Sequence, residues 1–198
     1  MNSKNRGGSF EREIAKLLSK WWTEGERDDI FWRSDASGAR FTQRKKSGKD
    51  TANQAGDLTF SDSIGEILIK NWNIEIKTGY AGKSKVKDSK GNDKIILNRW
   101  DALDLIDSSQ KEPILLQMWA QCKRDAGLTN RTPVLIFRRN GRKSCIMFTV
   151  KYLNHLFSLF GVYKTSTLMV ITSLESCVIF NLNDFLEWIP NIRSALKR

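Results

Sequence analysis

Between Trp72 and Thr78 the chain reads Trp-Asn-Ile-Glu-Ile-Lys-Thr, with large apolar side chains at Trp72, Ile74 and Ile76 and polar ones between them. A period of two is that of a β-strand with one packed face, because successive side chains leave a pleated backbone on opposite sides. The segment is therefore expected as a strand that buries those three residues. Glu75 and Lys77 then leave its other face together, a carboxylate and an ammonium side by side. Asp57 to Phe60 alternates in the same way, with Leu58 and Phe60 on one face, and reads as a second strand of the same sheet. Asp57 heads that strand directly after Gly56, where a missing side chain lets backbone approach closely and the carboxylate can point to the same edge.

Around these strands helical spacing takes over. Phe10, Ile14, Leu17, Leu18 and Trp21 follow a Gly7-Gly8 pair, with Ser9 at the N-cap, and predict an amphipathic helix from Phe10 to Trp22. Ile30 to Ser34 is short, apolar and aromatic and predicts a first strand. Residues 35 to 56 are rich in Ser, Gly, Lys, Arg and Gln and predict a mobile surface loop; a second basic loop is expected over 79 to 94. Leu115, Leu116, Trp119 and Cys122 predict a helix from Pro113 to Ala126, closed by Gly127. Pro133 to Phe137 and Ser144 to Val150 predict a hairpin turning at Asn140-Gly141. A helix near 150 to 160, strands near 167 to 173 and 176 to 180, and a closing helix from about Asn183 to Leu196 complete the reading. The whole predicts an α/β core over 1–150 and a C-terminal α/β elaboration over 151–198. That elaboration either packs on the core or forms a dimer interface through Leu156, Phe157, Phe160, Phe185 and Trp188.

Composition narrows the chemistry. With 198 residues, 40% of them hydrophobic, the chain can bury a full core. Its 33 Lys and Arg against 22 Asp and Glu leave a net charge of +11, which suits a polyanionic partner, nucleic acid first among them. Cys122, Cys145 and Cys177 are odd in number and far apart, so neither a disulfide framework nor a Cys-x-x-Cys zinc site fits. His155 is the sole histidine and lies in an apolar helical run, which leaves almost nothing for histidine ligation or a Ser-His relay. Catalysis, if present, rests on carboxylates and lysines. The first residues lack the apolar core of a signal peptide, and no run approaches the ~18 apolar residues of a membrane span. The chain reads as cytoplasmic.

Asp57, Glu75 and Lys77 make a coherent set for metal-assisted hydrolysis: hard carboxylate oxygens suit magnesium, and a lysine orients the attacking water and offsets phosphate charge. Each piece also has a plainer reading. Glu75 and Lys77 on a half-exposed strand make a solvated pair worth under ~1 kcal/mol, and a Gly-Asp step is common turn chemistry. Glu11 adds weight, because on the first helix it falls on the arc of Leu18 and Trp22, beside the buried stripe, whereas Arg12 points to solvent. Its alternative use is to favour the helix dipole, which suits Glu13 equally well.

At these residues the chain resembles the PD-(D/E)xK nucleases, and within them the archaeal-type Holliday junction resolvases and their phage relatives. The order matches: Gly8 and Glu11-Arg12 at the first helix, Trp32-Arg33-Ser34 in the first strand, Gly56-Asp57-Leu58, then Ile74-Glu75-Ile76-Lys77. The resemblance covers roughly the first 140 residues in pattern. It implies a restriction-endonuclease-like core, with a central mixed β-sheet flanked by helices. It also implies that Asp57, Glu75 and the backbone carbonyl of Ile76 bind Mg2+, with Mn2+ able to substitute. Lys77 is implied as the catalytic lysine, and Glu11 as a catalytic residue and further metal ligand. The chain departs from the pattern in the long polar stretch between Ser34 and Asp57, in Gly56 where the family carries proline, and in the stretch from Asp62 to Lys70 that widens the spacing to Glu75.

The reaction implied is Mg2+-dependent hydrolysis of DNA phosphodiester bonds, on branched DNA in the manner of a junction resolvase. Paired cuts would then call for a homodimer. A nuclease of the same fold on linear duplex or single strands, of restriction or repair type, and a non-catalytic DNA-binding module stand as alternatives. The DNA contacts expected are Arg12, Arg33 and Ser34 near the site, then Arg40, Arg44, Lys45, Lys46 and Lys49 before Asp57, and Lys83, Lys85 and Lys87 after Lys77. Such contacts set affinity and register rather than sequence preference; solvated loops also carry such charge without binding anything.

Overall fold

The computed structural model describes residues 3–34, 56–79, 82–98, 104–107, 113–172, 175–190 and 192–196. Helix α1 (Ser3–Trp22) buries Phe10, Ile14, Ala15, Leu18 and Trp22 along one stripe, while Leu17 and Trp21 of the expected stripe are half-buried at its flank. It starts a full turn and more before the expected N-cap at Ser9, running through Gly7 and Gly8. Helical glycines cost about 1 kcal/mol each relative to alanine. Here the bare turn at Gly8 is buried, and the Arg33 guanidinium lies against it, 3.5 Å from where a Cβ would stand.

Strands β1 (Phe31–Arg33) and β2 (Leu58–Phe60) pair antiparallel, Phe31 opposite Phe60 and Arg33 opposite Leu58. They form a two-stranded sheet of their own, so the segment from Asp57 to Phe60 is not, as expected, a strand of the sheet that holds Trp72–Thr78, to which it is hydrogen-bonded at Asp57. The stretch from Asp62 to Lys70 is folded. A 3-10 turn, Ser63–Gly65, capped by Asp62 accepting the Ile64 N–H, leads into α2 (Glu66–Asn71), which buries Leu68 and Ile69. The chain passes directly into β3 (Trp72–Thr78). The basic loop expected over 79 to 94 contains instead a hairpin of β4 (Gly82–Lys87) and β5 (Asp93–Asn98). Its turn is closed by Asp88, whose Oδ1 accepts the N–H groups of Lys90 and Asn92, local turn chemistry that overrides the high charge of the flanking strands.

A short α3 (Asp104–Asp107) and α4 (Ile114–Gly127) precede β6 (Thr132–Arg138) and β7 (Cys145–Thr149). Then come α5 (Val150–Phe160), β8 (Leu168–Ile171), β9 (Ser176–Asn181), α6 (Leu182–Trp188) and α7 (Arg193–Leu196). The closing helix expected over 183 to 196 is thus two short ones. They part at Ile189-Pro190, where proline has no N–H to donate and disfavours helical backbone before it.

The main sheet has the order β3-β6-β7-β9-β8. β3 and β6 are parallel, with Glu75 opposite Leu135, and every other neighbour is antiparallel. One face carries Ile74, Ile76, Val134, Ile136, Ile146, Phe148, Val178 and Phe180 against α1, α2, α5 and α6. The other carries Leu135, Phe137, Met147 and Ile179 against α4. This is an α/β fold with a central mixed sheet flanked by helices, of restriction-endonuclease-like architecture. Leu156 and Phe185 are buried in the larger core, and Phe157, Phe160 and Trp188 pack against it. Among the described residues no helix is long and apolar enough to cross a membrane.

Candidate active site

Asp57 is built into place by backbone. Gly56 has φ +83°, and a Cβ there would come within 2.7 Å of the Ile74 carbonyl oxygen, so only glycine lets β2 approach β3 this closely. The Asp57 N–H donates to the Ile74 carbonyl at 2.8 Å, and the Ile76 N–H donates to Asp57 Oδ2 at 2.7 Å. Ser34, buried, donates its own N–H to the Asp57 carbonyl at 2.9 Å. The amide of Ile76 therefore points away from β6 and toward Asp57, and its carbonyl leaves the strand on the same edge.

Glu75 lies on the other side chain face of β3, under α4. Its Oε1 receives the Lys77 ammonium and, at 3.0 Å, the side-chain amide of Gln121 from α4. Asp57 and Glu75 are only 7% and 3% exposed, a depth at which an ionised carboxylate needs a partner. Burial, followed by the charge of Glu75, pushes the Asp57 carboxyl up to about 7 against the opposing Ile76 N–H and Lys77. Burial likewise raises Glu75, with Lys77 opposing and Asp125 and Glu11 adding repulsion. Asp125, one turn beyond Gln121 on α4, is itself raised by burial. Asn73, on the same face as Glu75 and fully buried, has no hydrogen-bond partner for its side-chain amide among the described residues.

Glu11 is held by Arg33 in an ion pair, close enough to Asp57 and Glu75 to act on both through its charge. Arg12 is exposed, its guanidinium near the Gly8 turn beside that of Arg33. Among the described residues no group of three or more His, Cys, Asp or Glu side chains is gathered tightly enough to hold a metal ion. The donors present are two coupled carboxylates and a neighbouring carbonyl. That set fits Mg2+, which is commonly held by one or two carboxylates with water completing its octahedron. A divalent cation would also offset the cost of holding both acids ionised at this depth.

The model of a family described as "Phage putative PDDEXK endonuclease" matches residues 2–192. The chain belongs to this family. No curated protein and no solved structure matches it significantly. The match runs through β8, β9 and α6, well past the roughly 140 residues over which the motifs are readable.

In this phage PD-(D/E)xK family member, the expected DNA contacts Arg40, Arg44, Lys45, Lys46 and Lys49 lie outside the described residues. Lys83, Lys85 and Lys87 fall within β4, and Lys87 is exposed. Sequence reasoning missed Gln121 and Asp125. Their signal was a polar pair at i, i+4 flanking the apolar stripe of Leu115, Met118, Cys122 and Ala126, but nothing local tells which strand that flank will face.

Proposed function

We propose that the protein is a Mg2+-dependent endodeoxyribonuclease that hydrolyses phosphodiester bonds, acting on branched DNA in the manner of a Holliday junction resolvase. The observation that carries this reading is the pairing of two buried, mutually repelling carboxylates, Asp57 and Glu75, with Lys77 beside them at the edge of β3. In a PD-(D/E)xK endonuclease family this is a reason to read them as the reacting centre.

Asp57, Glu75 and the Ile76 carbonyl would hold the metal, and Glu11 would join them on leaving Arg33. When bound, Mg2+, or Mn2+ in its place, supplies Lewis-acid polarisation of a phosphate oxygen and activation of a water. In the hydrolysis a water oxygen bonds to phosphorus and the opposite P–O ester bond breaks; the water gives up a proton and the departing sugar oxygen gains one. Lys77 would hydrogen-bond a non-bridging oxygen with its ammonium and offset charge there. Arg12, Arg33, Ser34 and the lysines of β4 would hold the phosphate backbone. Residues 151–198 act in this reading as packing on the nuclease core, which the burial of Leu156 and Phe185 supports.

Incubation with a labelled four-way junction, a matched linear duplex and a single strand, with Mg2+ and with Mn2+, tests the proposal. Paired symmetric nicks confined to the junction, lost in Glu75→Gln, are expected. Equal or faster cutting of duplex would replace the resolvase reading by the restriction or repair type. DNA binding with no cleavage under either metal would leave a binding module. Paired cuts also require a homodimer, and a monomer by mass measurement at working concentration would count against them.

A further inference from the structure

Between β6 and β7 the chain reads Arg138-Arg139-Asn140-Gly141-Arg142-Lys143, four cations in six positions. None of them belongs to the basic stretches expected to touch DNA. The turn is tight: Arg142 donates its N–H to the Arg139 carbonyl at 3.0 Å, and Gly141 takes φ +72°. Its base is fastened beside the candidate site. Arg138 is the register partner of Thr78, the residue after Lys77, and its carbonyl accepts from Thr78 Oγ1 at 3.1 Å and from the Gly79 N–H at 3.3 Å. The Arg138 guanidinium is committed to α1, clamped by both oxygens of Glu13 at 2.5 and 2.8 Å and standing 4.2 Å over the Phe10 ring. Arg142 and Lys143, by contrast, are exposed. Between the turn and the second turn of α1 lies a cleft of about 450 Å³, lined by Ser9, Thr78, Asn140 and Arg142 among others.

From this arrangement we infer that the β6–β7 hairpin is a contact surface for the phosphodiester backbone of DNA, with Arg142 and Lys143 as the contacting cations and Arg138 as the strut that fixes the turn. The inference deepens the nuclease reading and rests on it for the identity of the polyanion. Arg142 and Lys143 are neighbours on an exposed turn, and the cleft they line with Arg139 is open to solvent rather than closed, which suits phosphates spaced along a strand better than one small enclosed anion. A turn fastened at Thr78 and Gly79 also keeps a fixed register to Lys77. A backbone held there therefore presents the same bond to the site each time.

The test is binding of a short fluorescent duplex, in EDTA so that no cleavage intervenes, over a range of potassium chloride concentrations. Each phosphate contact contributes roughly 0.9 to the slope of log K against log salt. Arg142→Ala/Lys143→Ala is expected to lower that slope by roughly 1.8, and Arg142→Gln/Lys143→Gln to do the same while keeping a polar side chain at each position. Lys20→Ala/Lys151→Ala removes equal charge from exposed positions elsewhere and is expected to leave the slope unchanged. An unchanged slope in the hairpin variants, or an equal fall in the control pair, overturns the inference. The two readings fail separately: a lowered slope in a protein that never cuts keeps the contact surface and removes the nuclease, whereas cutting with an unaltered slope does the reverse.

Discussion

Gln121 donates its side-chain amide to Glu75 Oε1 over 3.0 Å, from a helix that reaches the site 46 residues further along the chain. The same oxygen receives Lys77, so Glu75 is held from its own strand and from α4 at once. Asp125 lies one turn further along the same helix.

Gln121→Ala is expected to lower cleavage by between about 10- and 100-fold, the usual cost of losing a partner that orients a metal ligand. Gln121→Asn should fall between the variant and the native protein. Initial rates on the preferred substrate, with thermal melting as the control for folding, check this. Cleavage at the native rate would show that Glu75 needs no support from α4.

The coupled acids make the metal-free protein sensitive to pH, with a definite sign. Asp57 sits at about 7 in the fold, above its unfolded value, so folding takes up a proton between the two. The associated stability is complete below the unfolded value and is lost as pH rises through about 7. Between about pH 5 and pH 8 the native protein should lose on the order of 2–3 kcal/mol relative to Asp57→Asn. Urea unfolding at the two pH values measures it. Added Mg2+ should restore stability to the native protein at the higher pH by binding the folded state, and should not restore it to Asp57→Asn.

Gly56→Ala tests the backbone that seats Asp57. The new Cβ would meet the Ile74 carbonyl at 2.7 Å in a conformation that side chains rarely adopt. A cost above about 2 kcal/mol is expected in denaturant unfolding, with a fall in cleavage as Asp57 shifts. A neutral result would mean that the close approach of β2 to β3 is dispensable.

What the amino-acid sequence makes legible here is whatever a short local period encodes. Trp72–Thr78 has the bounds its alternation predicts because each side chain's face follows from its position alone. Val150–Phe160 follows its helical spacing in the same way. Ile67, Leu68 and Ile69 run together without a period, so the helix at Glu66–Asn71 is invisible until its core neighbours are known. The lysine-rich β4 and its partner β5 read as loop because charge obscures a strand that its turn dictates. Glu75 and Lys77 share a face by counting, but the identity of the helix above them is a tertiary fact. Gln121 could be found only there.

The two faces of β3 predict a separation between stability and chemistry. Trp72 lies on the face away from Glu75, 1% exposed, and donates its indole N–H to the Tyr152 hydroxyl at 2.7 Å. Burial also pushes that hydroxyl up to about 12, so it stays protonated throughout the working range. Tyr152→Phe leaves the indole N–H buried without its acceptor and should cost about 1–3 kcal/mol. Trp72→Phe removes the donor as well, so the double variant should lose less than the sum of the two single losses, with a coupling of at least about 0.5 kcal/mol. Below the melting transition all three proteins should cut at the native rate, because Trp72 and Tyr152 pack against α1 and the larger core, whereas Glu75 and Lys77 face α4. Additive losses would mean that the indole hydrogen bond contributes nothing. A loss of cleavage in fully folded Tyr152→Phe would show that the core transmits its packing across the strand to the site.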